Sequence, residues 1–169
     1  MDNRKLLIAA ALAIGVAASP AAAAPVAATK DATGKALILI PLKITKISDL
    51  DFGTVVTSAS SGTVSIAADG SGQSVTGGVT PLASAPGARA QFAGAGTPNE
   101  QVDLFLAPPA AIKDGLGNSM PISMNLENTS VIIDSTRAFF VGVGGTVTVA
   151  ANQTDGLYTG TFTILAQYN

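Results

Sequence analysis

The side chains that could do chemistry in this chain are carboxylates, because the sequence contains no His and no Cys. Without His the chain lacks the commonest general base, and without Cys it lacks a thiolate nucleophile and most transition-metal ligands. Two carboxylate pairs could still act as general acid and general base, namely Asp49 with Asp51 and Glu100 with Asp103. Each pair lies in a strand or loop pattern that an ordinary solvated face explains. We therefore expect no enzyme activity and no cofactor.

Two Asp-Gly segments, residues 69–73 (DGSGQ) and 114–118 (DGLGN), resemble fragments of calcium-binding loops. A calcium loop needs six or more oxygen ligands, with regularly spaced Asp or Asn and a distant Glu. Neither segment has that spacing. Since Asp-Gly is also the usual dipeptide of tight hairpin turns, we interpret both segments as turns and expect no metal site.

The elements that must position these side chains are predicted to be β-strands. Only 12% of the residues are charged, 18 are Gly, and Val, Ile and Thr are frequent, which is typical of an all-β domain. About ten short strands, separated by turn signals, can be traced along the chain. In the clearest one, Ile122, Met124 and Leu126 alternate with polar residues. The pattern predicts an antiparallel β-sandwich, and a barrel is the alternative architecture.

The beginning of the sequence predicts export. Arg4 and Lys5 precede an apolar run over residues 6–18 and then small residues, the order found in a secretory signal peptide. The run is shorter than the roughly 20 residues of a spanning helix, and no later stretch is long enough, so we expect no membrane segment after cleavage. The predicted parts are a signal peptide (1–24), a flexible N-terminal arm (25–35) and a single β-sandwich domain (36–169).

The charge of the chain restricts its partners. The formal net charge is −2, and the basic residues form no cluster. Nothing in the sequence would attract nucleic acid or an anionic membrane surface. Because Cys is absent, an exported domain of this kind must be held together by packing and hydrogen bonds alone.

The most regular pattern is at the C-terminal end. The residues that share one parity are Tyr158, Gly160, Phe162, Ile164, Ala166 and Tyr168. The other parity is mostly polar, with Leu157 and Leu165 as exceptions. Since successive side chains of a strand point to opposite faces, residues 156–168 are predicted to form a long strand with one apolar face. Such a strand is normally locked into a sheet or paired with a partner.

A second apolar block lies near the N-terminus, over residues 36–44. The residues of one parity in it are Ile38, Ile40, Leu42 and Ile44. Pro41 lies on the other parity and has no N–H to donate, so the block is expected to contain an edge, a bulge or a break between two strands.

Short motifs follow one another in a recognisable order. The first motif is residues 50–55 (LDFGTV), and it is followed by Gly62-Thr-Val and Gly77-Gly-Val; the second motif is residues 156–162 (GLYTGTF). In this order they resemble the bacterial exported family catalogued as domain of unknown function 4402. The resemblance implies an exported β protein and no particular role.

The C-terminal strand also resembles subunits of pili assembled by the chaperone–usher route. Those subunits typically end in an alternating apolar strand with a penultimate Tyr and a Gly fourteen positions from the end, which are the positions of Tyr168 and Gly156. They are incomplete immunoglobulin-like sandwiches whose missing strand is lent first by a periplasmic chaperone and then by the N-terminal arm of the next subunit. Many carry a disulfide, which this chain cannot form.

The resemblance implies a non-enzymatic structural subunit of a bacterial surface fibre or pilus, assembled by β-strand donation. Its partners would be other subunits, a periplasmic chaperone and an outer-membrane usher, and it would pass through the periplasm to the cell surface or the medium. The candidate residues for strand exchange are Gly156, Tyr158, Gly160, Phe162, Ile164 and Tyr168, and those for the donor strand are Ile38, Ile40, Leu42 and Ile44. Two alternatives remain, a self-complete secreted surface or matrix protein and an extracytoplasmic ligand-binding module.

Overall fold

The computed structural model describes residues 30–169, and every regular element in this range is a β-strand. The strands are β1 (Lys43–Ser48), β2 (Val55–Val56), β3 (Gly62–Ile66), β4 (Gln73–Gly77), β5 (Thr80–Pro81), β6 (Ala90–Ala95), β7 (Gln101–Ala107), β8 (Ala111–Lys113), β9 (Ser119–Leu126), β10 (Ser130–Ile132), β11 (Ala138–Val149) and β12 (Thr163–Tyr168). The all-β prediction is confirmed, with twelve strands where about ten were expected. The predicted signal peptide and residues 25–29 of the predicted arm lie outside the described residues.

A compact unit runs from Leu37 to Asn169. Residues 30–36 contain no strand, and their side chains are exposed.

Strand β11 organises the largest sheet, in which all pairings are antiparallel. Val143 in the middle of β11 pairs with Ala90 of β6 and with Leu126 of β9, so these two strands lie on opposite edges of β11. Further along, β11 pairs with β3 on the edge opposite β9. Strand β1 extends the sheet beyond β6, β4 extends it beyond β3, and β8 pairs with β9. The remaining strands form a three-stranded sheet in the order β10-β7-β12 and a two-stranded sheet of β2 and β5.

Strand β11 runs through two adjacent glycines. The sequence pattern predicts separate strands over residues 139–143 and 146–150, yet β11 is one continuous strand of 12 residues. The glycines have a packing role, because a Cβ at Gly144 would collide with the carbonyl oxygen of Ile66 on the neighbouring strand. Glycine therefore lets the neighbouring chain approach closely here and does not mark a turn.

Two groups of buried side chains form the core. The Val64 cluster contains Val64, Val79, Ile112, Val147 and Val149. The Val102 cluster contains Val102, Leu104, Ile133, Phe139 and Val141. The Val102 cluster joins β7 to β11, so the three-stranded sheet packs face to face on the large sheet, as in the predicted sandwich. Over the Val64 cluster the covering layer is mostly irregular, and it includes Phe52 and Tyr158.

Candidate functional site

The inward face of the C-terminal strand follows the predicted alternation. In β12 the exposure alternates residue by residue, with Ile164, Ala166 and Tyr168 half-buried and the residues between them exposed. These three side chains pack against the Val102 cluster. Leu165, an exception in the sequence pattern, points outward and is 57% exposed. The predicted apolar face is confirmed within β12, for Ile164, Ala166 and Tyr168.

The strand is shorter than predicted because its partner strand ends. β12 pairs with β7 from Tyr168 back to Thr163, which lies opposite Ala107. In the same register the next partners would be Pro108 and Pro109, and proline has no N–H for a ladder. Pairing resumes only as an isolated bridge between Thr159 and Lys113, in a shifted register. Gly156, Tyr158, Gly160 and Phe162 therefore lie in an irregular segment before β12.

The outer edge of β12 is unpaired within residues 30–169, since the strand's sheet ends there. Proteins usually protect such edges with charge, proline, bulges or very short strands. Edge strand β1 carries Lys43, Lys46 and a register shift, and β8 and β10 have three residues each. β12 has six uncharged residues in regular register and none of these devices. Its backbone N–H and C=O groups are available to another strand.

An apolar cleft of about 840 Å³ opens next to the beginning of β12. Phe162, the residue before β12, lines it. The floor is formed by side chains of the large sheet and of β8: Val64, Ile112, Met120, Ile122, Met124, Val147 and Val149. Three carboxylates, Asp49, Asp51 and Asp155, also line the cleft, and no Lys or Arg of residues 30–169 is among its lining residues. The site is therefore an apolar floor with acidic residues around it.

The first motif lines the cleft and is held by its own turn. The backbone N–H of Gly53 donates to the Asp51 carboxylate over 2.7 Å, and Gly53 has a left-handed φ of 73°. A Cβ at this position would lie 2.6 Å from the carbonyl oxygen of Ala85, so only glycine fits without displacement. The amide of Gln73 donates to the carbonyl of Phe52 over 2.8 Å. These contacts fix Phe52 against the Val64 cluster, and of residues 50–56 only Val55 and Val56 lie in a strand.

The second motif also lines the cleft. The Tyr158 hydroxyl donates to the Thr154 carbonyl and accepts from the Gln153 amide, both over 2.8 Å. A Cβ at Gly160 would lie 2.8 Å from Cγ2 of Ile112, so this segment passes close to the floor. Two motifs about a hundred residues apart in the chain thus meet at one cleft. No pattern in the sequence indicates that the two motifs meet, and the alternation around Ile122 and Met124 predicts only a half-buried strand.

The four donor-strand candidates divide into two pairs. Ile44 belongs to β1 and pairs with Gly94 of β6, and Leu42 packs against the Val102 cluster. Ile38 and Ile40 precede β1 and are 89% and 40% exposed. The second half of the apolar block is therefore part of the domain's own sheet and core, and the first half is available at the surface.

Three of the four carboxylates that could have acted as acid and base, Asp49, Asp51 and Asp103, have structural partners. The Asp49 carboxylate lies 2.6 Å from the ammonium of Lys46, and the Asp103 carboxylate accepts from the Gln101 amide. Both Asp-Gly segments are turns, as predicted. In the first, hydrogen bonds from Ser71 lower the pKa of Asp69. Among residues 30–169, no three Asp or Glu side chains gather as metal ligands would.

In the second Asp-Gly turn, the side-chain amide of Asn118 donates to the Asp114 carboxylate over 2.7 Å. This bond, with backbone N–H donors of the same turn, lowers the pKa of Asp114. Both turns thus use their carboxylates to accept local hydrogen bonds.

In the described part of the chain there is no helix with the length and hydropathy of a membrane span.

Comparison with known proteins gives a family and no relative of known role. No curated protein and no solved structure matches the sequence. One family model matches residues 42–168, which contain both motifs, the whole cleft and all of β12. The chain belongs to the family described as domain of unknown function DUF4402.

Proposed function

We propose that the protein is a non-enzymatic structural subunit of a bacterial surface fibre or pilus, exported and assembled by β-strand donation. The observation that carries the proposal is the edge of β12, which is uncharged and has no partner strand in the described part of the chain, beside an apolar cleft. An added strand would gain main-chain hydrogen bonds along the edge, and alternate side chains would enter apolar surface, which is the physical basis of β-augmentation.

The donor would be the apolar block of another copy. Leu37 and Ile38 are 72% and 89% exposed, so two adjacent large aliphatic side chains present apolar surface that a partner could cover. Lysines flank the block at positions 35 and 43. Asp51 and Asp155 line the cleft, with no Lys or Arg among the lining residues in the described range, whereas Asp49 is already paired with Lys46. Opposite charges would orient the donor and exclude wrong partners.

A periplasmic chaperone would occupy the same edge before assembly, and the exchange of strands would take place at an outer-membrane usher. An exposed edge of this kind is an aggregation hazard, so a subunit in transit needs a protein that covers it. The donor strand of another subunit would then take the place of the chaperone's strand on this edge.

The test is assembly of the mature protein with one exposed apolar residue changed. Ile38→Asp should leave the free energy of unfolding within about 0.5 kcal/mol of wild type, because the side chain is exposed. It should nevertheless prevent the concentration-dependent oligomers that we expect of the wild type in size-exclusion chromatography with light scattering. Leu116→Asp is the matched control, since Leu116 is 85% exposed in a turn outside the proposed interface, and it should oligomerise like wild type. A wild-type protein that stays a cooperatively unfolding monomer at all concentrations would instead favour a self-complete domain.

A second candidate function is a ligand-binding module. The cleft volume of about 840 Å³ falls within the range of about 300–1,000 Å³ typical of small-molecule sites. The apolar floor would select an apolar ligand. Saturable binding of the neutral dye Nile red to the monomer, lost in Met124→Asp and retained in Asn125→Asp, would support this alternative, because Met124 lines the cleft and Asn125 is exposed.

A further inference from the structure

The apolar block (residues 36–44) is hydrogen-bonded to side chains of the domain through the main chain of Ile40. The backbone N–H of Ile40 donates to Oγ1 of Thr97 over 2.9 Å, and the Ile40 carbonyl accepts from the hydroxyl of Tyr168 over 2.9 Å. The Tyr168 hydroxyl also accepts from the backbone N–H of Thr97 over 2.8 Å. The three bonds close a ring, so both main-chain groups of Ile40 are held by two side chains.

The packing around this ring is close. Leu42 and Tyr168 both pack against the Val102 cluster. A Cβ at Gly96 would lie 2.5 Å from the Tyr168 hydroxyl and 2.9 Å from Cδ1 of Leu42, so a side chain at this position would displace the hydroxyl from the ring. Upstream of Ile40, Leu37 and Ile38 are exposed. Ile40 is thus where the exposed part of the apolar block meets the packed part.

We propose that Thr97 and Tyr168 form a latch that holds the apolar block in cis and must open before the block can be donated to another copy. This inference rests on the proposed function, whose donor it regulates. Tyr168 belongs to β12, the proposed acceptor strand, and holds the donor of its own chain as well. Tyr168 therefore contacts the donor and belongs to the acceptor, and the closed latch slows the oligomerisation of a free subunit without preventing it.

The test removes the hydroxyl of Tyr168 and follows the Ile40 amide. Tyr168→Phe deletes two hydrogen bonds and leaves the bond between the Ile40 N–H and Thr97 in place. Each lost bond should open the latch about fivefold more often, the factor that corresponds to about 1 kcal/mol. The hydrogen-exchange rate of the Ile40 amide, measured by NMR on the mature protein, should rise at least about fivefold, and oligomers should form faster.

Tyr158→Phe is the matched control, because the Tyr158 hydroxyl also makes two hydrogen bonds, at the second motif. It should leave the exchange rate of Ile40 unchanged. An unchanged rate in Tyr168→Phe, or an equal rise in both variants, would overturn the latch. Faster exchange in Tyr168→Phe without oligomers in either that variant or the wild type would support the latch and refute strand donation, so the two proposals can fail separately.

Discussion

The fold makes a sharp prediction for two neighbours in β12. Ile164 and Leu165 are isomeric side chains in the same strand, but Ile164 packs against the Val102 cluster and Leu165 is 57% exposed. Truncation of a fully buried Ile to Ala costs about 2–5 kcal/mol. Since Ile164 is half-buried, Ile164→Ala should lower the free energy of unfolding by about half of that, or about 1–2.5 kcal/mol. Leu165→Ala should change it by about 0.5 kcal/mol or less.

The assay is equilibrium unfolding in urea, followed by circular dichroism. With a slope of about 2 kcal/mol per M, the midpoint should fall by about 0.5–1.2 M for Ile164→Ala and stay nearly constant for Leu165→Ala. The slope itself should not change, because both variants keep the same buried surface apart from one side chain. Equal midpoint shifts would refute the face assignment of β12, and a larger shift for Leu165→Ala would mean that the register with β7 is displaced by one residue.

Two further predictions concern the turns. Gly53→Ala should destabilise the domain by about 1–3 kcal/mol in thermal unfolding, because the residue combines a left-handed φ with a close carbonyl contact. Gly117 has a left-handed φ of 92° in open space, so Gly117→Ala should lower the stability less. An equal loss of stability in both variants would show that the close contact at Gly53 makes no contribution. The Asn118 hydrogen bond lowers the pKa of Asp114 in the folded state. The stabilisation from that carboxylate should be fully present above the unfolded value of 3.8 and be lost as the pH falls through the folded value. NMR titration of the Asp114 carboxyl should give a pKa below 3.8, and Asp114→Asn should flatten this part of the profile of unfolding temperature against pH; a value at or above 3.8 would contradict the turn geometry.

Local alternation along the chain was enough to predict which side chains face inward. Ile122, Met124 and Leu126 in β9 have the expected half-buried face, and so do Ile164 and Tyr168 in β12. The period of a strand is a property of the backbone alone, so the sequence displays it directly. The all-β class followed for the same reason.

Where the strands end depends on residues far away in the sequence. β12 begins at Thr163 because Pro108 and Pro109 follow its partner strand, and no pattern within residues 156–168 records that. β11 runs through Gly144 and Gly145 because a neighbouring backbone needs the space. The alternation of side chains is a property of one strand, whereas a ladder of hydrogen bonds needs donors and acceptors on two neighbouring strands. The end of a strand therefore depends on its neighbour.

The sequence by itself determined the strand class, the inward faces and the order of the family's motifs. Only the tertiary structure decided that the first motif, centred on Phe52, and the second, centred on Tyr158, line the same cleft. It also divided the apolar block at Ile40 between core and surface. The physical reason is that burial and hydrogen bonding are shared by residues distant in the chain, and their pairing is fixed by the packing of whole sheets.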